Sequence, residues 1–363
     1  MGYILKMIKI YVEVYGCAAS QDDAAIIRGL VNKASYKIIE NINKADVIIL
    51  VTCIVKSSTQ SKVVSKIKEI IKKYPKKKLI IAGCMPEAER EICKEIAPNA
   101  SLINSHHVRN IVKLIKNKDK ILEFLGKRKE NKLNLPKITK NKEVVNIQIA
   151  EGCKGNCSYC ITKFAKGDLY SFSQKEIIKE IKTRLKQSYK RINLTATDCG
   201  CYGLDIKTNL PELLEEIVKI EGDFKIRVGM MNPEFTLKFL NQLIKIYKDN
   251  KIIKFLHIPI QSGSNKVLKD MQRKYNVNDF KKIIKAFRKE IPNLSVATDI
   301  IVGYPTETEK DFKETLNLLK EIKPEVLNVS KFSSIQKTKA SKLKQLTSQV
   351  IKERSVKINQ LFQ

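Results

Sequence analysis

No apolar run in this chain is long enough to span a bilayer, so the sequence offers no helical membrane segment. An apolar signal core is missing too. Lys9 to Tyr15 alternates as a strand does, and Met7 is a natural alternative start. Acidic residues are scarce: 38 Asp and Glu stand against 69 Lys and Arg, for a formal net charge of +31. A surplus of that size is large for an enzyme confined to small metabolites and fits a polyanionic partner, because dispersed Lys and Arg bind phosphates. Lys, Ile and Asn are abundant throughout, but a general compositional bias would have raised the acidic residues as well. Histidine is nearly absent, with three residues. His106 and His107 read as a helix start; His257 stands alone in a strand, either facing an interior or satisfied in a core. Tandem repeats and low-complexity tracts are also lacking. What is present is globular: 43% of the 363 residues are hydrophobic, enough for two domains with cores of their own.

Nine cysteines without a signal core point to a reducing, cytoplasmic setting, where clustered thiols are usually ligands rather than disulfides. Three of them, Cys153, Cys157 and Cys160, are spaced C-x3-C-x2-C. Three thiolates on one tight loop can hold three irons of a cubane cluster and leave the fourth iron open for reaction. The competing reading is a structural zinc knuckle. Zinc prefers four ligands in C-x2-C pairs, and no fourth Cys or His lies within a short loop here.

Strand and helix patterns alternate from end to end, which places the chain in the α/β class with parallel sheets. The first series has strands at 8–16, 46–51, 78–83 and 101–104, with helices near 22–33, 57–73, 86–96 and 107–116. This predicts an N-terminal Rossmann-like parallel-sheet domain over 1–116. Residues 117–143, rich in Lys and Asn and containing Pro136, read as a basic linker. The second series has strands at 144–150, 190–196, 224–230, 253–259, 294–302 and 325–332. Helices fall between them at 174–188, 209–219, 235–248, 276–289 and 308–321. Six βα units are too few for an eight-fold barrel, so residues 144–363 are expected to form a partial (β/α)6 barrel closed by a helix over 341–361.

Cys17, Cys53 and Cys84 are far apart in sequence, yet each follows a predicted strand of the first series. If those strands are parallel neighbours, the three thiols share one carboxyl edge, where open α/β folds place their sites. They are then a second three-ligand centre; singly, each is an ordinary small core residue. Cys93 reads as helix packing. Cys199 and Cys201 form a C-x-C that a metal can use, but a structural role is the simpler reading.

Taken together, these residues resemble the methylthiotransferases of the radical S-adenosylmethionine superfamily. The runs that carry the resemblance are Tyr15-Gly16-Cys17, Thr52-Cys53 with Val55, Gly83-Cys84-Met85 and Gly152-Cys153 through Thr162. Later come Tyr202-Gly203, Arg227 through Pro233, His257 through Gly263, Thr298 through Pro305 and Lys352 through Ser355. The Met230-Met231-Asn232-Pro233 run is similar to the archaeal and eukaryotic branch, which methylthiolates N6-threonylcarbamoyladenosine at position 37 of transfer RNA, beside the anticodon.

The resemblance implies a radical SAM barrel and two 4Fe-4S clusters, on Cys153, Cys157 and Cys160 and on Cys17, Cys53 and Cys84. It also implies two S-adenosylmethionines per turnover. One is cleaved to a 5′-deoxyadenosyl radical that activates C2 of the adenine, and the other supplies the methyl group of the sulfur delivered from the second cluster. The implied partners are a tRNA anticodon loop and a reducing electron donor, with no membrane and the chain acting as a monomer. A base in a single-stranded loop leaves its stack at low cost. Cofactor contacts are expected at the carboxyl ends of the barrel strands: Thr197, Asp198, Gln261, Ser262 and Asp299, with Gly263 and Gly303 allowing close approach. Tyr159 either stacks near the adenine or simply packs.

Several positions depart from the family pattern. Val51 and Ser20 stand where Asn is usual, Lys166-Gly167 replaces Arg-Gly, and Ser333 through Thr338 replaces a Pro-rich run. The family's small C-terminal RNA-binding β-barrel would begin about where Gln363 ends the sequence, so that module is expected either to have been cut away or to be lacking, with the basic surface then carrying more of the binding. Two alternatives remain open at this point: the same chemistry on a ribosomal protein side chain, and a non-catalytic RNA-binding protein with structural metal sites.

Overall fold

The computed structural model describes residues 7–54, 57–117 and 119–362. Val55 of the Thr52-Cys53 run lies outside the described residues. The chain forms two compact units. Unit 1 runs to Gln148 and also takes in Thr162–Gly167 and Lys179–Tyr189; unit 2 holds the remainder.

Unit 1 is built on a six-stranded parallel sheet in the order β2-β1-β3-β4-β5-β6. Its strands are β1 (Lys9–Val14), β2 (Lys37–Ile39), β3 (Val47–Thr52), β4 (Lys78–Gly83), β5 (Ser101–Asn104) and β6 (Glu123–Phe124). The connecting helices are α1 (Ala18–Lys33), α2 (Ser57–Lys73), α3 (Met85–Ala88), α4 (Arg90–Ile96) and α5 (Ile111–Lys116), and β7 (Val144–Gln148) follows. Every residue of β3 is buried, as a central parallel strand covered on both faces must be. The core includes Ile10, Ile26, Ile49, Ile80 and Leu114. Each such side chain stabilises the unit by roughly 1.5–3 kcal/mol when buried. The strands β2 and β6 had no alternating apolar signal and are short edge elements.

The 117–143 stretch differs from the expected linker: it is packed into unit 1. Lys132 and Lys137 are buried against α1, with Lys132 Nζ 2.6 Å from Asp23 and Lys137 Nζ 2.6 Å from Asp22. Lys137 also reaches Glu180 at 3.1 Å, and Glu180 pairs with Arg184 at 2.9 Å. Buried charges are tolerable only when so paired. Gly29 makes room for this packing, since a Cβ there would meet the Pro136 carbonyl oxygen at 2.1 Å. The lysines that looked solvated in the sequence are partners for acids on α1.

Unit 2 carries a small antiparallel ribbon of β8 (Ala150–Glu151) and β9 (Tyr170–Ser171), then the parallel strands β10 (Arg191–Thr195), β11 (Lys225–Arg227), β12 (Phe255–His257), β13 (Ser295–Val302) and β14 (Val326–Lys331). Backbone bonds from Ile253 to Ile226 and from Met231 to His257 carry the series from β11 to β12. Each of the six expected strands of the second series is found, but β11 and β12 are shorter than expected. Capping boxes start the helices Val277–Glu290 and Glu309–Ile322. The expected helix over 235–248 breaks at Phe239, and the last helix begins later than expected, at Ser348. Among the described residues no helix is long and apolar enough to cross a membrane.

Candidate metal centres and active site

The first centre follows from the strand order of unit 1. Because β1, β3 and β4 are adjacent and parallel, the residues that follow them lie on one carboxyl edge. Cys17 follows β1 and caps α1, Cys53 follows β3, and Cys84 follows Gly83 and caps α3. The Cys84 N–H donates to the Thr52 carbonyl at 3.0 Å, which ties the β4 edge to the β3 edge. Gly16 is required here: its φ is +155°, and a Cβ would lie 2.6 Å from the Cys53 Cβ. A hydrogen bond between the Cys53 and Cys17 thiols holds the Cys17 thiol down at about 5 against the effect of burial, helped by Ser20 and the Lys166 ammonium. A thiol so lowered is a thiolate at neutral pH, the form that binds iron. Ser20, which departs from the family pattern, places its hydroxyl 3.7 Å from the Cys17 Sγ. Lys166 is itself buried, 3.7 Å from Asp23. Cys93 is fully buried in α4 and burial pushes its thiol up to about 12, as a packing role requires.

The second centre is local to one loop of unit 2. A Cβ on Gly155 would lie 3.4 Å from the Cys153 Sγ and 3.8 Å from the Cys157 Sγ, so these two thiols converge over the one residue that leaves space between them. The Gly155 N–H donates to the Cys153 Sγ at 3.2 Å. The Cys160 N–H closes a turn on the Cys157 carbonyl at 3.1 Å, so the third cysteine sits on the same turn. Ser158 pins the loop: its N–H donates to the Met271 carbonyl, its Oγ lies 2.8 Å from the Tyr304 hydroxyl, and its carbonyl accepts from Ala340. Tyr159 packs against Val267, Met271, Tyr304, Phe332 and Ala340, which favours its packing role.

Arg273 was missed by sequence reasoning. Its Nη1 donates to the Cys157 Sγ at 2.9 Å. Burial pushes the Cys157 thiol up, and the Arg273 charge works against that. A separation of 116 residues hid the contact.

The half-exposed face of β11, β12 and β13 carries Arg227, Phe255, His257 and Asp299. The Arg227 guanidinium sits 4.3 Å above the Phe255 ring, and His257 Nε2 is 2.6 Å from Asp299 Oδ2. His257 is therefore paired rather than solitary. Gln261, with φ +73°, donates to the Asp299 carbonyl and accepts from Ile301, so it belongs to the same edge. Asp198 is buried beside Cys153, its Oδ1 accepting from the Gly200 and Asn232 N–H groups, and burial raises its carboxyl to about 6. Thr197 is half-buried next to it. Ser262 differs from its expected place at the cofactor. It is fully buried, and its hydroxyl is engaged with Thr315 of the helix Glu309–Ile322 and with the Ser264 N–H.

Comparison with known proteins follows the same division. The profile of the Radical SAM superfamily matches residues 147–319, and that of the uncharacterized protein family UPF0004 matches residues 9–105. A protein of Pyrococcus horikoshii named "Probable threonylcarbamoyladenosine tRNA methylthiotransferase" is 41% identical over 354 residues, spanning 96% of this chain and 82% of its own length. The human threonylcarbamoyladenosine tRNA methylthiotransferase is 35% identical over 365 residues, covering 98% of this chain and 62% of itself. The chain belongs to the threonylcarbamoyladenosine tRNA methylthiotransferase family. Among solved structures, the radical S-adenosylmethionine methyltransferase TsrM of Kitasatospora setae aligns with a TM-score of 0.66 at 12% identity, over 92% of this chain and 74% of that one. At that identity the likeness concerns the fold alone.

Membership in the radical SAM superfamily carries a 4Fe-4S cluster and S-adenosylmethionine. The residues present fit them: a pinned loop carries three cysteines, the Cys153 and Cys157 thiols converge over a glycine, and a guanidinium faces the Cys157 thiol. Such a charge-assisted contact favours the thiolate form that the iron needs.

Proposed function

We propose that this methylthiotransferase-family chain adds a methylthio group to C2 of N6-threonylcarbamoyladenosine, beside the anticodon of tRNA. In this reading Cys153, Cys157 and Cys160 hold the cluster that binds S-adenosylmethionine, and Cys17, Cys53 and Cys84 hold a second 4Fe-4S cluster. Bound together, the cofactors supply a carbon-centred radical and an activated sulfur, with two S-adenosylmethionines consumed per turnover and an external one-electron donor. The reaction is assigned to the cytoplasm, where thiols stay reduced, and to a single chain.

What this chain's own residues do follows from their chemistry. Gly155 leaves the Cys153 and Cys157 thiols room to converge, and Arg273 orients Cys157. Thr197, Gln261 and Asp299 are half-buried polar groups at strand ends that suit a zwitterionic ligand, with Asp198 buried among them. Arg227, Phe255 and His257 offer stacking and hydrogen bonds to a flipped base. The positive surplus supplies attraction for phosphate.

The observation that carries the reading is the adjacency of β1, β3 and β4, which gives unit 1 a three-thiol edge of its own. A radical enzyme with one cluster has no need of that edge; a sulfur donor does. Mass spectrometry of nucleosides from total tRNA of a deletion strain tests it. Loss of 2-methylthio-N6-threonylcarbamoyladenosine is expected. An unchanged level, with a ribosomal protein losing a methylthio group instead, would replace the tRNA substrate with that protein. Zinc without sulfide in anaerobically purified protein would replace the enzyme reading with a structural metal protein.

A further inference from the structure

Cys199 and Cys201 flank one glycine, yet the structure gives them different surroundings. The Cys199 Sγ is packed against the backbone, 3.9 Å from the Leu194 carbonyl, and a Cβ on Gly229 would meet it at 2.8 Å. The Cys201 thiol donates to the Asp198 carbonyl at 3.2 Å and faces the Cys153 thiol in a hydrogen bond. The Cys153 Sγ, the Cys201 Sγ and an Asp198 oxygen all lie within 4.8 Å of one another. Two of these three atoms are thiol sulfurs facing one another.

Their exposure is unequal. Cys153 is half-buried, whereas Cys201 is fully buried. A partly exposed cysteine with a second thiol beside it is the arrangement of a peroxide-reactive cysteine and its resolving partner.

We propose that Cys153 and Cys201 form a reversible redox pair: when the chain is without its cluster, peroxide joins them in a disulfide. The Cys153 thiolate attacks one peroxide oxygen, giving a sulfenic acid and hydroxide. The Cys201 sulfur then attacks that sulfenic sulfur, the S–S bond forms, and the sulfenic oxygen leaves as water. Overall two thiols lose two electrons and two protons, and one peroxide becomes two waters. A dithiol reductant reverses the bond. The disulfide stops Cys153 from climbing to the irreversible sulfinic and sulfonic acids. It also withdraws one thiol from the C-x3-C-x2-C set, a consequence that rests on the reading of Cys153 as a cluster ligand.

The test uses the full chain stripped of metal by chelation under argon, exposed to hydrogen peroxide and mapped by non-reducing peptide mass spectrometry. The expected result is a peptide linking Cys153 to Cys201, absent in Cys201→Ala and Cys201→Ser, with sulfinic acid accumulating at Cys153 in both variants. Two variants are used because a folded-state circular dichroism spectrum from either suffices. After peroxide, wild type treated with dithiothreitol regains iron and sulfide uptake, and the variants do not. A link from Cys153 to Cys157 or Cys160, or equal sulfinic acid in wild type and variants, overturns the pair. The ligand reading fails separately: it falls if the untreated, fully reduced chain takes up no iron and sulfide on this loop.

Discussion

The two cysteine centres are built in opposite ways. The loop of unit 2 gathers Cys153, Cys157 and Cys160 by local spacing, with a glycine between two thiols and Ser158 pinning the turn. The edge of unit 1 gathers Cys17, Cys53 and Cys84 by topology, and it exists only because β1, β3 and β4 lie side by side in register. The difference teaches where each centre is vulnerable. The local centre is broken by changing the loop. The topological centre is broken either by removing a thiol or by loosening the sheet that aligns the three strand ends.

The sharpest separation comes from single thiols. Cys157→Ala is expected to abolish S-adenosylmethionine cleavage, read as loss of 5′-deoxyadenosine by chromatography, and to lower bound iron by about four per chain. Retention of cleavage at the wild-type rate would dissolve the distinction between the two centres. Next in size is Cys53→Ala. It should also lose about four irons, but continue to form 5′-deoxyadenosine while making no methylthiolated nucleoside. A variant that loses both activities together would mean the centres are not separable.

A smaller effect is expected from the sheet. Ile49 is fully buried in β3, and Ile49→Ala should destabilise unit 1 by about 2–5 kcal/mol. If unit 1 holds the proposed second cluster, denaturation followed together with iron content should show that iron lost at lower urea than the iron of the unit 2 loop. Simultaneous loss would show that the edge does not depend on its own sheet.

The smallest effect is one of titration. In metal-free protein, alkylation of Cys17 by iodoacetamide should reach half its maximal rate near pH 5, because the Cys53 hydrogen bond holds that thiol at about 5. A lowered thiol is already thiolate at neutral pH, so its labelling stays fast as pH falls from neutral toward that value. Cys157, raised by burial, should label slowly at neutral pH and faster as pH rises. Equal profiles would mean the two environments are not electrostatically distinct.

The same contrast explains what was legible in the sequence. The approach of the Cys153 and Cys157 thiols could be read directly, because spacing within a turn is geometry. That Cys17, Cys53 and Cys84 each follow a strand could be read from the apolar runs before them, although the adjacency of those strands depended on topology. Residues 117–143 were misread as a linker because burial of Lys132 and Lys137 depends on Asp22, Asp23 and Glu180, which no local pattern connects to them. Arg273 was hidden for the same reason, through its distant contact with Cys157. Ser262 stands at a strand end as a ligand contact would, but its hydroxyl is engaged with the helix that packs behind it. Pattern gives the position of such a residue along the chain and not the direction of its side chain.

The central claim is that one chain couples a radical-forming centre to a separate sulfur-donating one on tRNA. The most direct test is an anaerobic reaction of the iron- and sulfide-reconstituted chain with S-adenosylmethionine, dithionite and threonylcarbamoylated tRNA, read by mass spectrometry of both 5′-deoxyadenosine and digested nucleosides. The account predicts both products from wild type, and 5′-deoxyadenosine alone from Cys53→Ala. Formation of 2-methylthio-N6-threonylcarbamoyladenosine by Cys53→Ala at the wild-type level would contradict it.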